Sequence, residues 1–532
     1  MIDPNEIREA ARRGRGPTRR RFLAWAAALP ALPMLGGRAE GRVLRRPSFS
    51  ADPFSCGVAS GDPDPRGVVL WTRLAPEPFE PSGGMAPDLV EVSWQVANDE
   101  AMADVVREGK AVATPQLGHS VHAEVDGLEP GRWYYYRFRA GDAESPVART
   151  RTMPRASETP DELRFAFASC QHFESGLFTA YQYMAQDDLD LVFHLGDYIY
   201  EGKGRDGQVR KHLGDEIQSL DDYRIRYALY RSDPHLRAMH AKCPWMVTWD
   251  DHEFDNNCAG EISEQEEVDP VAFLGRRANA YQAYYEMMPL RRRSLPRGAD
   301  MRLYRGLNFG RLAAFQVLDT RQYRSDQPND DRRSPLNDAA LDPKQSMLGR
   351  RQLGWLEANL LASTASWNVL AQQVMMAMVG FRLEDGDGAR VYSMDQWPGY
   401  AAERIKLMEF LRDRKVPNPV VLTGDIHSNW ANDLRVDDRE PDRPVVATEF
   451  VGTSIASGGN GMATVPGLEE RLADNPAVRF FNAQRGYVRC TVTPEAWRSD
   501  YQVVEQVTTP GAPVVTKASF VVESGRPGCQ PA

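Results

Sequence analysis

The chain has 532 residues, enough for one large catalytic domain and a smaller companion, and its 64 basic and 74 acidic residues leave a formal net charge of −10. Residues 1–48 hold 11 arginines, no lysine and 4 acids, so the remainder of the chain is near −17. A surface that acidic argues against non-specific nucleic-acid binding, which depends on basic side chains neutralising phosphates, and six cysteines are too few for a disulfide scaffold at this length.

The basic excess has a local source. Thr18-Arg19-Arg20-Arg21-Phe22-Leu23 feeds a short apolar segment, Ala24 to Leu29, and Gly37-Arg38-Ala39 follows with small residues for cleavage. These are the features of a twin-arginine export signal. A membrane anchor is the competing reading, but Pro30 and Pro33 interrupt the run, which falls short of the roughly 20 apolar residues a span needs. The expectation is therefore a signal and linker over 1–48, the twin-arginine export machinery as partner, a periplasmic or secreted product, and no stable membrane span.

From about Asp52 to Pro154 the pattern is all-β. GVVLWTRL, LVEVSWQVA, SVHAEVDGL and RWYYYRFRA are short alternating runs separated by Pro, Gly and Asp turns, the spacing of a sandwich. Leu128-Glu129-Pro130-Gly131 ahead of Trp133-Tyr134-Tyr135-Tyr136-Arg137-Phe138 resembles a strand of fibronectin type III modules. Carbohydrate stacking is one use for such aromatics; filling a sandwich core is the favoured one. No catalytic constellation appears in this small domain, 52–154.

Beyond the linker at Pro154 to Asp161, strands alternate with stretches of helical periodicity such as FLGRRANAYQAYYEMM and GRRQLGWLEANLLAS, so an α/β catalytic domain is expected over 160–525. Four apolar runs stop at residues able to bind metal or move protons. ELRFAFASCQH ends at Cys170, LDLVFHLGDYIYE at Asp197 with Tyr200 three residues on, KCPWMVTWDDHE at Asp250, Asp251 and His252, and NPVVLTGDIHSNW at Asp425 and His427. Open α/β sheets place ligands at such strand ends. A lone Gly-Asp is usually a capped strand end, and a lone Cys170 usually a buried thiol. Four such endings together are a metal-centre pattern, because buried carboxylates need cations to offset desolvation. RLAAFQVLDT and SWNVLAQQVMM are expected to extend this sheet, and VVATEFVGTSI and RGYVRCTVTPEAWRSDYQVV to form a second one.

In this order the blocks GD-x-x-Y, DDHE and GD-x-H resemble the calcineurin-like metallophosphoesterases. Cys170 in the first block, Tyr200, Asp251 where Asn is usual, the segments Asp52 to Pro63, Leu318 to Asp326 and Thr448 to Ser454 are similar to one branch, the PhoD-type alkaline phosphatase and phosphodiesterase family. The resemblance implies a four-layer αββα sandwich behind the β domain, with one Fe(3+) and two Ca(2+) ions. It assigns Cys170, Asp197, Tyr200 and His427 to iron, with Asp197 bridging, and Asp250, Asp251, Asp425 and Glu449 to calcium, with help from Asn256 or Asn257.

Phenolate and thiolate do suit Fe(III), and crowded carboxylates suit calcium. The implied activity is hydrolysis of phosphate monoesters, diesters or both by water activated at the metals. A phospholipase D-like action on phospholipid or wall polymers, or a non-catalytic envelope protein of the same fold, are the alternatives. His252, beside a ligand, either contacts phosphate and protonates the leaving alkoxide or orients a carboxylate. Arg321 and Arg324 are candidates to clamp phosphate, against the commoner expectation of surface salt bridges.

Overall fold

The computed structural model of the protein describes residues 43–265, 267–382 and 389–532, so the expected export signal lies outside the described residues. The catalytic part is a four-layer helix–sheet–sheet–helix sandwich. In the first sheet the strands Leu163–Ala168, Leu191–Leu195 and Trp245–Thr248 run parallel. In the second, Ala313–Val317, Trp367–Ala371, Pro419–Thr423 and Ala447–Val451 do the same. The inner faces meet in a dry core where Phe165 packs edge-to-face on Phe193, Phe315 and Trp497 at 5.4–5.5 Å. Each such pair adds about 0.5–1.5 kcal/mol beyond burial.

Helices cover both outer faces. Leu220–Arg231, Pro234–Lys242 and Pro270–Met287 pack on the first sheet, Gly349–Ala362 and Ala401–Asp413 on the second. Their starts follow local chemistry. Ser219 and Asp222 form a reciprocal capping box, while Asp233 and Asp269 cap helices that carry Pro at the first turn. Among the described residues no helix is long and apolar enough to cross a membrane.

Two sheet assignments differ from the sequence-based expectation. Ala313–Val317 and Trp367–Ala371 belong to the second sheet rather than extending the first. The long strand Val478–Val492 crosses between sheets: its start pairs with Asn429–Leu434, while its end inserts between Leu163–Ala168 and Ala496–Val504 in the first sheet. Periodicity identifies strands, but sheet order is set by long-range pairing that it does not encode.

The N-terminal part is all-β, and its aromatics do fill the core: Tyr134, Tyr136 and Phe138 are buried against Val58, Leu70 and Val121. One of its two layers is shared. Val58–Asp64, Gly67–Arg73 and Ser120–Val125 join the first catalytic sheet where Gly61 pairs with Trp245. Side-chain contacts reinforce this seam. Trp71 Nε1 donates to the Glu286 carbonyl at 2.8 Å, and Arg73 Nη1 to that of Arg224 at 3.5 Å. Beside them Arg224 grips buried Glu286 through two 2.7 Å hydrogen bonds. Glu286→Ala leaves that guanidinium only the exposed carboxylate of Asp221 at 3.1 Å, so it is expected to destabilise the protein by about 3 kcal/mol, read as a lower urea midpoint. Glu91→Ala, which breaks an exposed pair with Lys110, is expected to cost at most about 1 kcal/mol.

Candidate metal centre

The carboxyl ends of the two sheets converge on one buried site, and the backbone there is strained. Cys170, Asp197, Asp425 and His427, each within a few residues of a strand end, have φ of 58°, 56°, 66° and 53°. Such left-handed conformations are uncommon for non-glycine residues and collect at functional sites, where surrounding contacts offset about 1–3 kcal/mol each. Gly196, at φ 107°, lets the Asp197 turn lie against the Asp250 turn: a side chain there would begin 2.3 Å from Asp250 Cβ.

Three overlapping groups of possible ligands result, each with its donor atoms within 4.8 Å of one another: Cys170, Asp197 and His427; Asp197, Asp251 and His252; Asp250, Asp251 and Asp425. Asp197 is common to the first two and Asp251 to the last two. Tyr200 joins the first group, donating to Asp197 Oδ2 at 2.7 Å and lying 3.2 Å from His427 Nε2. Ser457 donates to the Tyr200 hydroxyl at 2.7 Å and holds that ring in place.

The electrostatics describe a site short of positive charge. Burial pushes the carboxyls of Asp197 and Asp250 well above the usual range, and Asp425 up to about 8. Burial, reinforced by Asp197, likewise raises the Cys170 thiol and the Tyr200 phenol. Asp251 is the exception; burial would raise it, but Arg321 and His252 hold it below its ordinary value. His427 is lowered to about 3 by burial and by Arg485, so it presents a neutral imidazole. Asp197 Oδ1 and Asp250 Oδ2 are buried with no hydrogen-bond partner. Unpartnered carboxylate oxygens, a thiol, a phenol and a neutral imidazole turned on one spot fit multivalent cations.

Several expected residues sit differently. Arg321 is neither a surface pair nor a free phosphate clamp: 2% exposed, it contacts Asp250, then Asp395 at 2.7 Å, Asp425 at 3.1 Å and Asp251 at 3.5 Å. Arg324 is also buried, bonded to Asp395 and to the carbonyls of Asn257 and Cys258. Asn256 turns toward Glu264, and its neighbour Asn257 serves the site, donating its N–H to Asp251 at 2.8 Å and its amide to Asp331 at 2.6 Å. Glu449 stands outside the ligand groups. Its two oxygens accept from Met376 N, Ala377 N, Thr423 and Asn432 at 2.7–3.0 Å, so it is spent on holding that turn. All six cysteines are free thiols.

Three residues that strand-end reasoning passed over support the site. Glu253 accepts backbone N–H groups from Asp197, Tyr198 and Asp250, stapling the two ligand turns together. Glu201 accepts from His252 Nδ1 at 2.8 Å and, with Asp197 and Asp251, outweighs burial to hold that imidazole well above its ordinary value. Asp395 braces Arg321. Glu253 and Glu201 each lie one residue beyond a named motif residue, the signal that could have found them; Asp395 comes from a loop with none. A further group, His172, Glu174 and His212, is closed to a cation by Arg226, whose Nη1 lies 3.2 Å from His212 Nδ1. It anchors the otherwise exposed 202–215 insertion.

Comparison with known proteins agrees with this geometry. Residues 165–501 match the model of the PhoD-like phosphatase family and 39–154 that of the PhoD-like phosphatase N-terminal domain. Alkaline phosphatase D of Bacillus subtilis (strain 168) is 51% identical over 487 residues, 91% of this chain and 83% of that protein. A solved structure of PhoD superposes with a TM-score of 0.88 at 51% identity, covering 91% of this chain and 93% of the other. Purple acid phosphatase 23 of Arabidopsis thaliana is 29% identical over 179 residues, 31% of this chain and 37% of that protein. Turns built to gather a thiol, a phenol, imidazoles and carboxylates, in a chain this similar throughout, place it in the PhoD-like phosphatase family as an alkaline phosphatase D-like phosphohydrolase.

Proposed function

We propose that this phosphohydrolase works through a mixed iron and calcium centre, with Fe(3+) held by Cys170, Asp197, Tyr200 and His427 and Ca(2+) by Asp250, Asp251 and Asp425. The observation that carries the reading is Asp197, shared between two ligand groups with one buried oxygen still unpartnered. Thiolate and phenolate favour ferric iron, and the all-carboxylate group favours a hard cation such as calcium. Bound cations supply charge neutralisation at the phosphoryl oxygens and an activated water.

The remaining steps belong to the chain. Glu201 fixes His252 through Nδ1, and the Tyr200 ring 4.2 Å away limits its rotation. The other imidazole nitrogen is left to hydrogen-bond a phosphate oxygen and pass a proton to the leaving alkoxide. Arg321 acts on the carboxylates rather than on substrate, keeping four of them in register before and after each turnover. Glu253 sets the spacing of the Asp197 and Asp250 turns.

Asp197→Asn is expected to abolish hydrolysis of 4-nitrophenyl phosphate and of its bis-ester while iron and calcium content fall together. Full activity with unchanged metal content in that variant overturns the reading. The ratio of the two wild-type rates reports monoester against diester preference.

A pH dependence follows from the raised carboxyls. In metal-free protein their folded-state values, about 8 for Asp425, exceed the ordinary ~4, so these groups favour folding at low pH and that contribution is lost as pH rises toward 8. Cations bind the ionised form and reverse the penalty. The rise in Tm on adding calcium to chelated protein is therefore expected to be larger near pH ~9 than near pH ~6; an equal or inverse response counts against the assignment.

We also propose export by the twin-arginine route to the periplasm or beyond, supported by Arg19-Arg20 ahead of Phe22-Leu23 and the short apolar run. Changing Arg19 and Arg20 to lysine is expected to leave active enzyme in the cytoplasm, as read by fractionation; unaltered export removes the proposal.

A further inference from the structure

The edge hairpin of the second sheet has one face whose only apolar side chain is the small one of Ala314. In the strands Arg305–Phe309 and Ala313–Val317, Leu307, Phe309, Phe315 and Val317 point into the core between the sheets. The opposite face carries Gly306 directly across from Gln316, and Asn308 directly across from Ala314. The helix Gly349–Ala362 lies over this face and contributes Trp355 and Asn359, one turn apart, beside its buried Leu356 and Leu360. Between helix and hairpin is a recess of about 300 Å³ with no charged residue in its walls, the lower end of the ~300–1,000 Å³ typical of small-molecule sites.

Its polar groups are unspent. Gln316 is 3% exposed, yet its Oε1 is buried without a hydrogen-bond partner, a condition native structures rarely leave unresolved. The side-chain amides of exposed Asn308 and half-buried Asn359 and the indole N–H of half-buried Trp355 make no hydrogen bond to any described residue and are open to a ligand. Gly306 keeps the floor open: a Cβ there would stand 3.5 Å from Gln316 Oε1 and 4.0 Å from Trp355 Cζ2. Glycine in a strand interior weakens the strand and often marks a place where a ligand approaches closely.

We infer that this recess binds a neutral saccharide, with one pyranose face on Trp355 and its hydroxyls on Gln316, Asn308 and Asn359. Paired donors and acceptors around a single aromatic face match alternating hydroxyls. The lack of any cation or carboxylate disfavours a phosphate or amine ligand. Trp355 as the one ring in the lining, with only alanines for other apolar contact, does not sandwich a nucleobase, which is held by stacking. The site is separate from the metal centre: its walls include Gly310 and Thr364, which precede the strands Ala313–Val317 and Trp367–Ala371, whereas the candidate ligands follow strand carboxyl ends.

The test is equilibrium binding of glucose, galactose, N-acetylglucosamine and mannose, with adenosine as comparison, to the metal-loaded wild-type enzyme and to Trp355→Ala and Gly306→Val. At least one sugar is expected to saturate below about 50 mM, with Kd raised roughly tenfold or more in both variants and with 4-nitrophenyl phosphate kcat/KM unchanged, which also shows that the variants fold. No saturable sugar binding, binding that both folded variants retain, or a preference for adenosine would each overturn the inference. If one variant loses phosphatase activity, the other decides.

Discussion

Burial of like charges is the constraint on which this molecule is built. Asp197, Asp250, Asp251 and Asp425 lie within a few ångströms of one another, the first three nearly excluded from water and Asp425 largely so. Each buried carboxylate costs several kcal/mol unless matched by positive charge or hydrogen-bond donors. One guanidinium, Arg321, touches all four acids of its surroundings, Asp250, Asp251, Asp395 and Asp425. Even with Arg324 on Asp395 and the raised imidazole of His252 beside Asp251, the negative groups outnumber the positive ones, and one oxygen each of Asp197 and Asp250 remains unpartnered. Cations of higher charge make up that difference, which is why a fold carrying this site is committed to metal.

The arrangement also needs two sheets rather than one. Cys170, Asp197 and Asp250 follow strands of the first sheet, while Asp425 and His427 follow a strand of the second. The sheets touch where Ser169 bridges to Ser454 and where Gly424 lies against Ser169. The strained turns survive because contacts from outside each turn hold them: Glu253 takes the N–H groups of the Asp197 and Asp250 turns, and Arg485 takes the His427 carbonyl. Local strain is thereby offset by tertiary hydrogen bonds, the usual source of rigidity in a site that must not relax.

The β domain contributes to that rigidity through backbone continuity. Its strands Val58–Asp64, Gly67–Arg73 and Ser120–Val125 lengthen the first catalytic sheet, and the Arg224–Glu286 pair lies where they meet the helices that cover Asp197 and Asp250. A companion attached by a flexible linker could not brace the site in this way.

Much was legible in the chain alone, for a local reason. A strand end is written in neighbouring residues, so apolar runs stopping at Cys170, Gly196-Asp197, Asp250-Asp251 and Gly424-Asp425 disclose both the elements and the side chains they deliver. The family blocks carried the fold class and the phosphohydrolase activity on the same residues. What tertiary structure alone decided involves partners distant in sequence. Val478–Val492 serves both sheets because its two halves pair with strands far apart in the chain. Arg321 is buried because four acids from three other segments surround it, and Glu449 turns from ligand to brace because four donors reach it first. Backbone N–H groups, which Glu253 binds, exist at every residue but proline, so no sequence pattern marks which of them a carboxylate will gather.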